Sequence, residues 1–281
     1  MPQYLWSTDF DGTLYSGARK DACVSIDVVN AIVGWISLGG YFHVLSGGSM
    51  AGMARDGFDL VQLVYRELSR GEANADAIAT IKEQMSFSMS NGTEHYVVRD
   101  PLSRLSAGQL EYVPAHSLSV PRSCADDFSE GMHRHFGMET IASDQPLDGR
   151  LDLVSTIFLK QLGRQYASSP PAETVALAND HLRRESSPIH LVFIREEGIG
   201  KDAVRRFDGY PRGDDGKATK AHCAERVYSN FESVLFTGDQ PDGNDEPVFR
   251  YANTTSHVSA VAVRGPQDVL DNVRRLRLSV T

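Results

Sequence analysis

Two carboxylates spaced two residues apart, Asp9 and Asp11, follow the short apolar run Tyr4-Leu5-Trp6 and stand just before Gly12. Such a run, bounded by a turn, reads as a buried strand. Alternate residues of an extended chain point the same way, so both side chains can converge on one point beyond the strand end. In an open α/β sheet that edge is where ligands bind. A carboxylate is a competent nucleophile toward phosphorus, and a second one beside it can manage the leaving group's proton. A strand with an Asp-Gly turn is also common without any ligand. The rest of the chain decides between the two.

The elements that would position these groups can be read along the chain. Apolar residues at helical spacing (Ile26, Val29, Ile32, Val33, Ile36) predict a helix over Ser25–Ile36, ended by Gly39-Gly40. Tyr41–Leu45 reads as a second buried strand, with Ser46-Gly47-Gly48-Ser49 as its turn. Leu60–Leu68 reads as a helix, and Phe87–Ser90 as a third strand running into Asn91-Gly92, a turn signal. From about Asp100 to Pro188 prolines, serine clusters and polar loops dominate. Helices are expected there over Leu151–Tyr166 and Pro171–Arg184, with a strand at Ile189–Ile194. Beyond Phe207 the α/β pattern returns: a helix over Lys220–Tyr228, a strand Ser233–Thr237 ending at Gly238-Asp239, a strand Val258–Val263 and a helix from Pro266 to about Leu276. Strands alternating with helices imply a doubly wound, mostly parallel sheet core. The middle reads as an inserted α/β cap domain, giving a core of residues 1–98 and 205–281 and a cap of 99–204.

Composition narrows the class. A chain of 281 residues, 41% hydrophobic and 23% charged, is that of a globular protein. A net charge of −9 argues against nucleic acid as a partner, because phosphate backbones recruit basic surfaces. Small phosphorylated molecules stay open, since a bound cation offsets local repulsion. Cys23, Cys124 and Cys223 are scattered, with neither a disulfide framework nor zinc-ligand spacing, which fits a reducing compartment. The chain enters its first strand with no leader pattern, and no apolar run approaches the roughly 18 residues of a membrane helix. The expectation is a cytoplasmic protein with no membrane partner; the oligomeric state is not legible.

The run Asp9-Phe10-Asp11-Gly12-Thr13-Leu14 resembles the opening motif of the haloacid dehalogenase superfamily, D-x-D-G-T-L. The resemblance implies Asp9 as nucleophile and Asp11 as acid/base, protonated when substrate binds, with Gly12 and Thr13 supporting them. It also implies three further elements in order. A Ser or Thr after the second strand is supplied by Ser46 or Ser49, with Gly47 in its turn. A lysine that neutralises the transferring group and orients Asp9 has candidates in Lys201, Lys217 and Lys220, of which Lys220 opens the helix before the acidic strand. The late acidic strand end is Gly238-Asp239, followed by Gln240-Pro241-Asp242-Gly243-Asn244-Asp245. Asp9, the Asp11 carbonyl and Asp239 would then hold Mg2+, with Asn244 and Asp245 in support.

A cap between the serine turn after the second strand and the lysine is similar to the subclass with a large α/β cap, which contains sugar phosphatases, trehalose-phosphate phosphatases and phosphomannomutases. The Ser90-Asn91-Gly92-Thr93 turn resembles one often found there. Phe207-Asp208-Gly209-Tyr210-Pro211-Arg212-Gly213 and a fragment, Pro121-Arg122-Ser123-Cys124, are similar to phosphomannomutase segments. Against that likeness, the loop after Asp239 is shorter and Gly243 stands where two glycines are expected. Arg122, His133, Arg134 and Arg150 are candidates for a distal phosphate or sugar hydroxyls, solvated surface being the alternative for each. The expected function is a magnesium-dependent phosphatase of a small phosphorylated metabolite, a sugar phosphate above all, acting through an aspartyl-phosphate. A hexose phosphomutase is the alternative.

Overall fold

The computed structural model describes residues 3–15, 24–48, 60–70, 74–103, 109–113, 117–145, 152–162, 170–198, 203–212 and 219–280. The chain opens with β1 (Tyr4–Thr8), α1 (Ile26–Ile36), β2 (Tyr41–Leu45), α2 (Leu60–Ser69), α3 (Ala75–Gln84), β3 (Met85–Met89), β4 (Glu94–Val98) and β5 (Leu110–Tyr112). Next come β6 (Val120–Pro121), α4 (Arg122–Phe136), β7 (Glu139–Asp144), β8 (Leu153–Val154), β9 (Thr156–Leu162), α5 (Pro171–Arg184), β10 (Ile189–Glu197) and β11 (Val204–Pro211). The chain closes with α6 (Thr219–Tyr228), β12 (Ser233–Gly238), α7 (Glu246–Asn253), β13 (Val258–Ala262) and α8 (Pro266–Val280). None of the described helices is long and apolar enough to cross a membrane.

These elements form two compact units, Met1–His116 with Lys220–Thr281, and Ser117–Thr219. The larger is built on a seven-stranded sheet in the order β13-β12-β1-β2-β3-β4-β5. Its first five strands are parallel; β4 and β5 complete it antiparallel. Successive residues of β1 face opposite sides. Leu5 joins a core with Leu45, Cys223, Ala224, Tyr228, Val234, Phe236 and Val248, so α6 and α7 cover that face. Trp6 faces the other side, edge-on to Phe42 with ring centroids 5.0 Å apart. The apolar stripe of α1 (Val28, Val29, Ile32, Trp35, Ile36) is buried, and the Ser25 hydroxyl caps its first turn at the Val28 N–H.

The smaller unit has an antiparallel sheet, β10-β11-β9-β7, and a short β6-β8 pair. Phe128 and Met132 of α4 and Ala178 and Leu182 of α5 share one core with Ile157, Leu159, Ile189, Leu191 and Phe207 from the strands.

Two expectations are corrected here. Within the helix expected over Leu151–Tyr166, the described residues 152–162 instead form the strands β8 and β9, where Ile157, Leu159 and Gln161 are buried and Phe158, Lys160 and Leu162 are less so. That two-residue alternation, with Thr156, Ile157 and Phe158 favouring extended backbone, outweighs the helical spacing of its leucines. The boundaries also move. Strand β11, assigned to the core from residue 205 on, pairs antiparallel with both β10 and β9, while β5, beyond residue 98, joins the larger sheet by pairing with β4. Hydrogen bonding across strands, not composition, draws these borders. The Arg122-Ser123-Cys124 fragment forms the first turn of α4.

Phe42 is fully buried against Trp6. Phe42→Ala is expected to lower the unfolding free energy by about 3–5 kcal/mol, measurable in a denaturant titration.

Candidate active site

Parallel pairing brings three strand ends to one edge. Thr8 of β1 lies level with Val44 of β2 and Thr237 of β12. Asp9, Ser46 and Asp239 each follow directly after one of these strands, so three chemically capable side chains leave the sheet at one edge. A buried hydroxyl ladder supports it: the Trp6 Nε1–H donates to Thr237 Oγ1 at 3.4 Å, that hydroxyl donates to Thr8 Oγ1 at 3.0 Å, and Thr8 donates to the Asp9 carbonyl at 2.8 Å.

Lys220 lies in the first turn of α6 and is 2% exposed. Its Nζ donates to Asp9 Oδ1 at 3.2 Å and to Asp245 Oδ1 at 2.5 Å. Helix α6 is held to the sheet by polar contacts as well as by packing. Tyr228 OH donates to Ser7 Oγ at 2.8 Å, and the Cys223 thiol is hydrogen-bonded to Ser88. Ser88 in turn meets His95 Nδ1 at 2.9 Å, and Ser86 meets His43 Nδ1 at 2.8 Å. Burial first, then the nearby charges of His95 and Arg226, hold His43 well below its ordinary pKa and therefore neutral.

Asp9, Asp239 and Asp245 each present a carboxylate oxygen within 4.8 Å of the others. Their charges shape one another. Burial pushes the Asp9 carboxyl up to about 8; Lys220 opposes the shift, while Asp245 and Asp239 reinforce it. Asp239, half-buried, is raised by burial and by Asp245. Burial alone would strip the proton from Lys220, yet Asp245 and Asp9 outweigh it and keep the ammonium charged. One cation thus faces three carboxylates, leaving negative charge in excess. Asp239 Oδ1 is buried with no hydrogen-bond partner. Hard oxygen donors, surplus charge and an unmet acceptor together suit a divalent cation such as magnesium.

The other anticipated residues fall as follows. Gly12 has φ +77, and a Cβ there would collide with the Asp239 carboxylate, so the left-handed turn and the close approach both call for glycine. Thr13 is fully buried with an unpartnered Oγ1. The Asp11 side chain is not one of the three clustered carboxylates; it accepts from the Tyr15 hydroxyl, and Tyr15 packs edge-on against Phe10. Ser46 is buried, and its Oγ accepts from the Gly48 N–H at 3.2 Å within its own turn. Asp245 emerges as a principal member of the cluster rather than a supporting one. Standing directly before α7, it has the look of a cap, but its oxygens go to Lys220 and, at 3.1 Å, to the Gln240 N–H. Tyr15 was missed altogether, because a tyrosine past an Asp-Gly turn carries no spacing signal.

Ser49, Lys201, Lys217 and Arg150 lie outside the described residues. Arg134 and His133 are exposed on α4, where Arg134 pairs with Glu130 one turn back, an arrangement typical of a solvated helix face. Arg122 begins the same helix, its backbone N–H donating to the Asp152 carbonyl at 2.8 Å.

No family model matches the chain, and no curated protein matches it by sequence. Solved structures do match in fold. The trehalose-6-phosphate phosphatase of Aspergillus fumigatus aligns over 98% of this chain and 92% of its own, with a TM-score of 0.54 and 17% identity. An IMP-bound mutant of the Plasmodium falciparum IMP-nucleotidase aligns over 97% of this chain and 68% of its own, with a TM-score of 0.57 and 12% identity. A haloacid dehalogenase-like hydrolase from Bacteroides thetaiotaomicron aligns over 98% and 99%, with a TM-score of 0.54 and 13% identity. The chain therefore has the haloacid dehalogenase-like fold.

Because the folded state raises the Asp9 pKa from 3.8 to about 8, the native protein binds this proton more tightly than the unfolded chain does. The resulting stability is complete below the unfolded value and is lost as pH rises through the folded one. In chelator, the thermal midpoint is expected to fall as pH rises from about 4 to about 8, and Asp9→Asn should flatten that slope. A scan of melting temperature against pH for both proteins checks it.

Proposed function

We propose that this protein is a magnesium-dependent phosphatase that hydrolyses a small phosphorylated metabolite, a sugar phosphate or similar polyol ester, through a phospho-aspartate at Asp9. The observation that carries this reading is the buried Asp9–Lys220–Asp245 arrangement at the strand edge that also bears Asp239 and Ser46. The printed names of two structures of similar fold, a phosphatase and a nucleotidase, fit it, although fold alone does not specify chemistry.

In the first half-reaction an Asp9 carboxylate oxygen attacks phosphorus and the bond to the leaving oxygen breaks. Asp11 gives its proton to that oxygen, so the product leaves as an alcohol. In the second half, Asp11 takes a proton from water, whose oxygen attacks the phospho-aspartate and releases inorganic phosphate. Lys220 holds Asp9 in place and balances charge on the group in transit. The Ser46 hydroxyl donates to a phosphoryl oxygen. Asp9, Asp239 and the Asp11 carbonyl, with Asp245 close by, would hold magnesium, which when bound offsets the carboxylate repulsion and polarises the phosphoryl group.

The deciding experiment follows sugar phosphates by phosphorus NMR, with magnesium and with chelator. Inorganic phosphate should accumulate as ester is lost, and only with the metal. Interconversion of a 1-phosphate and a 6-phosphate without phosphate release would mark a mutase instead. Asp9→Asn is expected to lower turnover by at least about a thousandfold while leaving the circular-dichroism spectrum unaltered. In magnesium titrations of activity, Asp239→Ala should require far more metal than the exposed Asp242→Ala; equal demand would remove Asp239 from the metal site.

A further inference from the structure

The loop that carries Asp11 folds back on itself. The N–H groups of Thr13 and Leu14 both donate to the Phe10 carbonyl, at 3.3 and 3.0 Å, and the backbones of Asp11 and Tyr15 form a bridge. This return brings the Tyr15 ring edge-on to Phe10, with centroids 4.9 Å apart. Both rings are buried, and Leu14 between them in sequence is fully enclosed. Apolar packing of this kind fixes where an aromatic side chain points. The hydroxyl of Tyr15 is thereby aimed at Asp11, and it donates to Oδ1.

Asp11 is the acidic group of the loop that most needs such a hold. Asp9 is buried and tied to Lys220, whereas Asp11 is only half-buried. Its neighbour Gly12 abuts the Asp239 carboxylate, so the three-carboxylate cluster stands directly alongside. A loose Asp11 carboxyl would be free to swing toward that cluster, where a bound cation would hold it as one more ligand. A tyrosine hydroxyl is a donor suited to prevent this. Oδ1 accepts its hydrogen bond both when the carboxyl is ionised and when the proton rides on Oδ2.

We propose that Tyr15 is a positioning residue for proton transfer to the leaving group, its hydroxyl holding Asp11 Oδ1 so that the carboxyl meets the ester oxygen instead of the carboxylate cluster. This rests on the phosphatase reading above and deepens it. As the bond from phosphorus to the leaving oxygen breaks, the Asp11 proton passes to that oxygen, and Tyr15 keeps its own proton throughout. A general acid supplies roughly 10²–10⁴-fold when well placed, so misplacing it costs most where the leaving group depends on protonation.

Tyr15→Phe keeps the ring against Phe10 and removes only the hydroxyl. The test reads kcat/KM, which covers only the steps through release of the first product, on two esters. One is p-nitrophenyl phosphate, whose phenolate leaves without a proton; the other is the sugar phosphate turned over fastest in the phosphorus NMR screen, whose alkoxide does not. Tyr15→Phe is expected to lower kcat/KM about tenfold on the sugar ester and less than about twofold on the aryl ester. An equal loss on both esters, as a purely structural role would give, or no loss on either, overturns the assignment and leaves the phosphatase reading standing. If the parent releases phosphate from neither ester, the phosphatase reading fails and the assignment falls with it.

Discussion

Everything at the candidate site depends on keeping one ammonium ion charged where water scarcely reaches. Lys220 is 2% exposed, and burial by itself would drive off its proton. Asp9 and Asp245 prevent this by accepting hydrogen bonds from Nζ on two sides. Breaking a buried pair by removing one partner typically costs about 3–5 kcal/mol, because the surviving charge is stranded. The positions of β1, α6 and the start of α7 are therefore coupled: none can shift without stranding a charge.

That coupling explains why the sheet beneath α6 is unusually polar for a core. Ser7, His43, Ser88 and His95 are all buried, and each finds a partner in the sheet or on α6. Apolar packing through Cys223, Ala224 and Tyr228 supplies the bulk attraction but permits small slides. Directional bonds such as Tyr228 to Ser7 set the helix at one register, which is what holding Lys220 against Asp9 requires. The site is also deliberately unbalanced. Its three carboxyl groups outnumber its one cation; burial first, and then the neighbouring Asp245 and Asp239, raises the Asp9 pKa, and Asp239 Oδ1 has no hydrogen-bond partner.

The strand ends were legible from residue types, because a parallel sheet sets its ligand edge by topology alone. Once Tyr4–Thr8, Tyr41–Leu45 and Ser233–Gly238 are read as neighbouring strands, Asp9, Ser46 and Asp239 must emerge together. The segment Leu151–Tyr166 was misread because its leucines satisfy a helical period while its side chains in fact alternate between buried and partly exposed. Short apolar runs support either period until a partner strand is known. The domain border failed for a related reason: β11 continues the turn-rich composition of its surroundings, and only its pairing with β9 and β10 assigns it.

By itself the sequence determined the α/β architecture, the order of the acidic strand ends and the presence of a lysine at the head of the helix before the last of them. Those are local properties: apolar runs, turn residues and spacing. Only the tertiary structure decided that Asp245 turns away from capping α7 to share Lys220, that Tyr15 holds the Asp11 carboxyl, and that Asn91 reaches across to Gly47. Each of these joins groups from different turns or elements, or sends a side chain away from its local role. Nothing in linear order encodes such a contact, because the energy that selects it comes from burying charge and amide groups together after the chain has folded.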